Sequence, residues 1–185
     1  MDVELSLLHK TLNGLKELLD RNNGSLFIQG PEGYVYESSC TFNSPISEEL
    51  IHNFEEHLSK IFEKQIKLPQ DYKEFLLNYN GACLFGDGAG DNSVNLYSIE
   101  QLYEMNSGDA NSKYHEDFFT IGDCEGGYLY LDTNKFEEIS SRDEKYINWF
   151  SYYTFQVTDL KSNFETWLER IVITKGNVYW EWNED

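Results

Sequence analysis

The sequence predicts an α+β domain: a central antiparallel sheet with helices packed on it, preceded by an N-terminal helix and hairpin. Three observations carry this. Leu5, Leu8, Leu12, Leu15 and Leu19 recur at steps of three and four, the signature of one helical face. After residue 82 the chain turns to short β-prone runs separated by Gly, Asp and Asn. Near the end, Phe164, Trp167, Leu168 and Ile171 restore the helical stripe. A length of 185 residues suits one domain that buries roughly 70% of its unfolded surface.

Taken in order, the first helix spans about residues 3 to 21 and is stopped by Asn22-Asn23-Gly24. Gly14 and the short length favour a helix packed on its own domain over a coiled coil. "SLFIQGPEGYVYESSCTF" reads as a hairpin turning through Gly30-Pro31-Glu32-Gly33. Ser44-Pro45 marks a boundary between this 1–44 extension and residues 45–185, with both parts expected in one domain. Ser47 then caps a helix whose stripe is Leu50, Phe54, Leu58 and Ile61, with Glu48 and Glu49 at its positive end. In "KLPQDYKEFLLNYNGA", Pro69 fits a first helical position and Gly81 a left-handed stop, while Tyr72, Phe75, Leu76 and Tyr79 share one face. Strands are expected at 82–85, 94–97, 117–122, 127–132 and 152–157, with a closing strand through Val178, Tyr179, Trp180 and Trp182. Capping boxes are read at Ser98 with Gln101 and at Ser162 with Glu165.

Composition narrows the function. With 33 acids against 14 bases the net charge is -19, which argues against nucleic acid and anionic membrane as partners and favours a basic one. Acidity also serves solubility, but that does not call for clustering. Residues 83 to 132 hold ten acids and a single base, Lys113, so about half of the excess charge sits in barely a quarter of the chain. Cys40, Cys83 and Cys124 form no C-x-x-C pair and suit a reducing compartment. The opening "MDVELSLLHK" is acidic where a secretory signal is basic, and no apolar run approaches the roughly 20 residues of a membrane span. The expected location is the cytoplasm.

"GDGAGDN", residues 86 to 92, is the most conspicuous local motif. Its glycines give G-x-G-x-G rather than a dinucleotide fingerprint, and no lysine completes a phosphate loop. Counted from Asp87, the twelfth position is Ser98 instead of the glutamate of a calcium hand. The motif reads best as a flexible acidic connection between strands, with glycine supplying positive φ. Asp87 and Asp91, with Glu125 from the second glycine turn, are the candidate acidic patch facing a basic partner. "NWFSYYTF", if extended, sets Phe150 and Tyr152 opposite Trp149, Tyr153 and Phe155, and Tyr152 is the candidate aromatic contact.

Enzyme chemistry finds little support. His52 and His57 stand about 140° apart around a helix, and His9 and His115 are remote in sequence. Neither G-x-S-x-G nor H-E-x-x-H occurs, and Cys83 and Cys124 read as small buried side chains. No catalytic residue, cofactor or metal site is assigned.

Four stretches together resemble the SUKH superfamily, the Smi/Knr-type domain. "ISEELIHNFEEHLSKIFEKQIKLPQDYKEFLLNYNGA" is similar to its opening pair of helices, with an LP..Y..FL...NG signature at Leu68, Pro69, Tyr72, Phe75, Leu76, Asn80 and Gly81. "VNLYSIEQL", "FFTIGDCEGGYLYLD" and "SNFETWLERI" resemble its strand and short helix, its glycine-centred strand pair and its closing helix. Ala82 stands where the family often has a second glycine. The resemblance covers residues 46 to about 172 and implies a non-enzymatic binding module. In the bacterial branch it implies an immunity protein that binds and neutralises a cognate polymorphic toxin, frequently a nuclease, here through an acidic interface with the toxin's basic surface. Alternatives are a regulatory scaffold like the yeast cell-wall member, or a small-ligand or metal-dependent enzyme using the glycine turns.

Overall fold

Strand pairing is strictly sequential. The computed structural model of the chain describes residues 5–29, 33–87, 93–106, 117–135 and 144–181. The order is α1 (Leu7–Arg21), β1 (Ser25–Gln29), β2 (Val35–Phe42), α2 (Glu48–Ile61), α3 (Gln70–Asn78), β3 (Ala82–Gly86), β4 (Val94–Leu96), α4 (Ile99–Asn106), β5 (Phe118–Cys124), β6 (Gly127–Asp132), β7 (Ile147–Ser151), β8 (Val157–Asp159) and α5 (Phe164–Ile173). Short 3-10 turns follow β6 and α5. The eight described strands form one antiparallel sheet in the order β1 to β8, so every strand pairs with its sequence neighbour. The N-terminal hairpin joins this sheet through β2 and β3, and α1 lies against α5.

One face of the sheet and the five described α-helices share a single hydrophobic core. Leu8, Leu12, Leu15 and Leu19 of α1 enter it as their spacing requires, whereas Leu5 is exposed ahead of the Ser6 cap. In α2 the Ser47 cap is as expected, but the buried stripe is Ile51, Phe54, Glu55 and Leu58, leaving Leu50 and Ile61 exposed. The i, i+3, i+4, i+7 pattern holds; it is rotated by one residue because the sequence offers apolar side chains on two adjacent rows. Phe54, Tyr72, Phe75, Phe119 and Phe164 meet mostly edge to face at the centre, each completely buried. Burial of each such ring contributes about 1.5 to 3 kcal/mol.

The segment around α3 is the structural keystone. Pro69 occupies the cap position, one residue earlier than expected, and Gln70 begins the helix. Asp71 is buried and reaches α5: its carboxylate accepts from the Glu165 N–H at 3.1 Å and from the Tyr146 hydroxyl. Tyr146 in turn accepts from the Phe164 N–H at 3.1 Å, and the Asn163 side chain accepts from the Thr166 N–H at 2.9 Å. Three free donors at the start of α5 are therefore satisfied by side chains. This replaces the expected Ser162–Glu165 box, because the helix begins at Phe164 and Asn163 therefore stands at the cap position. Burial and the adjacent Asp71 carboxylate push the Tyr146 phenol well above its ordinary value, so it serves as a hydrogen-bond donor.

Asn80 plays the same part for α4. Its side-chain oxygen accepts from the Ile99 N–H at 2.7 Å, and the Ser98–Gln101 capping box forms beside it. Gly81 holds φ +86, and a Cβ there would lie 2.6 Å from the Leu96 carbonyl oxygen, so the strand β4 excludes any side chain. Glu55, nearly inaccessible, is held by Lys73 at 2.6 Å, Lys67 at 2.9 Å and the Leu68 N–H at 2.8 Å. Burial pushes its carboxyl up, but these three donors outweigh that and keep it below the ordinary glutamate value.

Two expected strands are absent from their places. Residues 152–154 form a turn between β7 and β8, where the Ser151 hydroxyl accepts from the N–H groups of Tyr153 and Thr154 and its carbonyl from Phe155. A serine offering this local alternative overrides the β preference of the surrounding aromatics. Tyr179–Glu181 is a 3-10 turn rather than a strand, and Trp180 packs on Trp149; Trp182 lies outside the described residues. Of the motif at 86–92 only Gly86 and Asp87 are described, the rest lying outside the described residues; Gly86 does not take the positive φ expected of a glycine there, whereas Phe85 just before it has φ 59. Thr41 pairs with Cys83 and Ser39 with Gly86, so β3 carries an extra residue that lets both Leu84 and Phe85 enter the core.

Candidate functional site

The second face of the sheet carries a different chemistry. Registers align Thr41, Cys83, Asn95, Asp123, Tyr128, Phe150 and Val157 into one row crossing β2 to β8. Cross-strand neighbours share a face, and this one is opposite to Leu84, Leu96, Leu129 and Trp149 of the core. Along it runs a ladder of rings: Phe118 stacks on Tyr130 at 5.9 Å, Tyr130 meets Tyr128 and Phe150 at 6.1 and 6.0 Å, and Phe150 meets Phe155 at 6.3 Å. Tyr128 and Tyr152 make the tightest contact of the series, edge on at 4.8 Å.

Asp123 reaches this face because of a bulge. Thr120 pairs with Tyr130 and Gly122 with Leu129, so Ile121 is an extra residue on β5. Simple alternation from Phe119 and Ile121, both buried in the core, would send Asp123 inward with them. The bulge reverses the alternation, so that Cys124 enters the core and Asp123 faces outward. Gly122 makes the bulge possible: a Cβ there would lie 2.2 Å from the Asn95 carbonyl oxygen.

Around the half-buried Asp123, the Asn95 amide donates at 2.8 Å and the Tyr97 hydroxyl bonds to the carboxylate. Tyr152 and Tyr128 hydrogen-bond to one another through their hydroxyls alongside. Burial raises both Tyr97 and Tyr152, and the neighbouring Asp123 charge raises each further. Both phenols are therefore neutral donors at physiological pH. Among the described residues no lysine, arginine or histidine forms an ion pair with Asp123.

Beside this group the β7–β8 turn projects rings into solvent. Tyr153 is 82% exposed, Phe155 73% and Tyr152 39%. Phe155 has φ 56, a left-handed conformation that costs a bulky residue about 1 kcal/mol with little packing in return. Tyr153 lies across the β5–β6 turn, where its ring would clash with a Cβ on Gly126, and the Tyr152 N–H donates to the Gly126 carbonyl at 2.8 Å.

The sequence-derived residues distribute around this region. Tyr152 stands in the aromatic group itself. Glu125 is in the tight β5–β6 turn that Tyr152 touches; burial raises its carboxyl, while the Val178 N–H that it accepts works in the opposite direction. Asp87 ends the β3 side, half-buried. Both Asp87 and Glu125 act on the Tyr36 phenol, which burial raises first and Tyr34, Asp87 and Glu125 raise further, so these two acids share one neighbourhood. Asp91 lies outside the described residues. Asp123, Asn95, Tyr97 and Tyr128 were not singled out by sequence reasoning; the one signal available was Gly122 inside a strand pattern, which marks a bulge.

Other reactive groups are dispersed. His9 pairs with Glu74 at 2.6 Å, His52 with Glu56 at 3.4 Å, and His57 packs on Tyr103. Burial pushes the Cys40 thiol up to about 11, against the opposing Phe85 N–H, and also raises Cys83 and Cys124, so none is an activated nucleophile. Among the described residues no three His, Cys, Asp or Glu side chains gather to hold a metal, and no helix is long and apolar enough to cross a membrane.

Comparison with known proteins places these features in context. The sequence profile of the SMI1 / KNR4 family (SUKH-1) matches residues 45–170. The chain is 30% identical over 186 aligned residues to the uncharacterized protein YobM of Bacillus subtilis (strain 168), an alignment covering 96% of this chain and 92% of that protein. It is 31% identical over 155 residues to the uncharacterized protein YnaB of the same organism, covering 80% of this chain and 90% of YnaB. The YobM likeness thus extends beyond the profile into the N-terminal helix and hairpin.

Proposed function

This chain belongs to the SMI1 / KNR4 family (SUKH-1), and from that premise we propose that it is a cytoplasmic immunity protein that binds and neutralises a polymorphic toxin, without catalysis of its own. The observation that carries the reading is the chemistry of the second sheet face. Its described residues offer carboxylates and tyrosines, and β3 to β6 contribute no lysine or arginine to it. A surface of this kind attracts a cationic partner and repels nucleic acid. A nuclease toxin presents a cationic surface, because it must neutralise phosphates to bind its substrate. An immunity protein that covers it sets carboxylates where phosphates otherwise sit.

The interface on this reading includes Asp87, Asp91, Glu125 and Tyr152. Rim carboxylates steer the encounter, so their effect is largest at low salt, and the aromatic side chains supply the apolar anchor. The test is co-expression with the C-terminal domain of the toxin encoded beside this gene. Restored growth and copurification are the expected result; growth arrest unchanged by this chain, with no complex formed, would end the proposal.

A further inference from the structure

We propose that Asp123, within its collar of Tyr97, Tyr128 and Tyr152, is the receptor for one arginine side chain of the protein partner, an inference that rests on the immunity reading for the identity of that partner. A half-buried carboxylate held by Asn95 at 2.8 Å and by Tyr97 has only neutral donors among the described residues. Two neutral hydrogen bonds leave acceptor capacity on a carboxylate, which has about four lone-pair sites. The negative charge is thus positioned but not neutralised from within. A fixed and incompletely compensated anion in a partly dehydrated setting attracts a cation more strongly than a solvated surface acid does.

The rings decide which cation. Tyr128 and Tyr152 meet edge on at 4.8 Å beside the carboxylate, and Tyr152 is exposed enough to be touched from solvent. A ring face next to an anion suits a planar, delocalised guanidinium, which stacks on the aromatic surface while it donates to the carboxylate; a compact ammonium keeps more of its water. Electrostatic complementarity extends outward, since Glu125 occupies the adjoining turn and the described stretches of residues 83–132 contain no base. Two features of the backbone serve this one spot. The β5 bulge turns Asp123 outward, and the β7–β8 turn holds Tyr152, Tyr153 and the left-handed Phe155 beside it.

The experiment titrates the intact chain with N-acetyl-arginine amide, using the citrulline analogue as the neutral isostere, and follows backbone amide shifts. Saturable changes at millimolar arginine derivative, confined to residues 95–97, 122–128 and 151–153 and absent with citrulline, are expected. Asp123→Asn, which keeps the side-chain shape and an acceptor for Asn95, should abolish them, and Tyr152→Ala should weaken them severalfold. If Asp123→Asn alters folding, Tyr152→Phe and the citrulline control still discriminate, because the phenyl ring retains stacking. The lysine analogue should bind more weakly than the arginine one. Arginine-induced shifts spread evenly over the acidic surface, or retained in Asp123→Asn, would overturn the site. With a toxin that the wild type neutralises, Asp123→Asn should reduce affinity on the order of tenfold or more. Equal affinity there refutes the site and leaves the immunity function standing, whereas a site-confined arginine response without neutralisation of the neighbouring toxin refutes the function and leaves the site.

Discussion

The two faces of the sheet are built on different terms. On the helix-covered face, Phe54, Phe75, Phe164 and Trp167 are completely buried among one another, and many contacts fix each side chain. On the opposite face, position depends on backbone register: one added residue at Ile121 decides whether Asp123 points to the core or away from it. The first face is stabilised by area and is tolerant in detail, while the second depends more on where each group is aimed. Stability and recognition should therefore separate under mutation.

The separation is sharpest at the core. Phe75→Ala should cost about 3 to 5 kcal/mol, measured by chemical denaturation, since it removes a fully buried ring from a close-packed centre. Loss near the surface value of about 0.5 kcal/mol would mean that the helical layer does not carry the fold. Gly122→Ala probes the link between the faces. Its Cβ would press on the Asn95 carbonyl oxygen, and we expect a cost of about 2 to 3 kcal/mol together with faster amide exchange at Asn95 and Gly122. A neutral effect would show that the bulge is not tightly held.

Glu55→Ala should cost about 2 kcal/mol, because Lys67 and Lys73 lose their common partner and the Leu68 N–H its acceptor. The same group gives an acid dependence. Its folded value lies below the ordinary 4.5, so its stabilising contribution is fully present above pH 4.5 and is lost as pH falls through the lowered folded value. Thermal unfolding of Glu55→Gln should therefore show a shallower decline than wild type in that acid range; parallel curves would remove Glu55 as the cause. The smallest stability effect belongs to the exposed turn. Phe155→Gly relieves a left-handed φ of 56 and gives up little packing, so stability should change by no more than about 1 kcal/mol while partner affinity falls. Strong destabilisation would recast this turn as part of the scaffold.

Much of the covered face was legible in the sequence. Leucine spacing located α1, and the Ser47 and Ser98 caps fell where expected. Tyr72, Phe75 and Leu76 occupy the core as their periodicity requires. The second face was legible only in part. Tyr152 was chosen from an extended reading of 148–155, yet Ser151 draws the following N–H groups into a turn, and the exposed rings result from that turn. Asp123 appeared only as one acid among the ten of residues 83 to 132, and plain alternation from Phe119 would point it inward.

By itself the sequence determined the helices, most of the strands, the family and the acidic balance, because periodicity, capping and composition are local or additive properties of the chain. Tertiary structure alone decided which carboxylate faces outward and which rings surround it. That choice is made by pairing between strands, where a single inserted residue exchanges the two faces of everything beyond it.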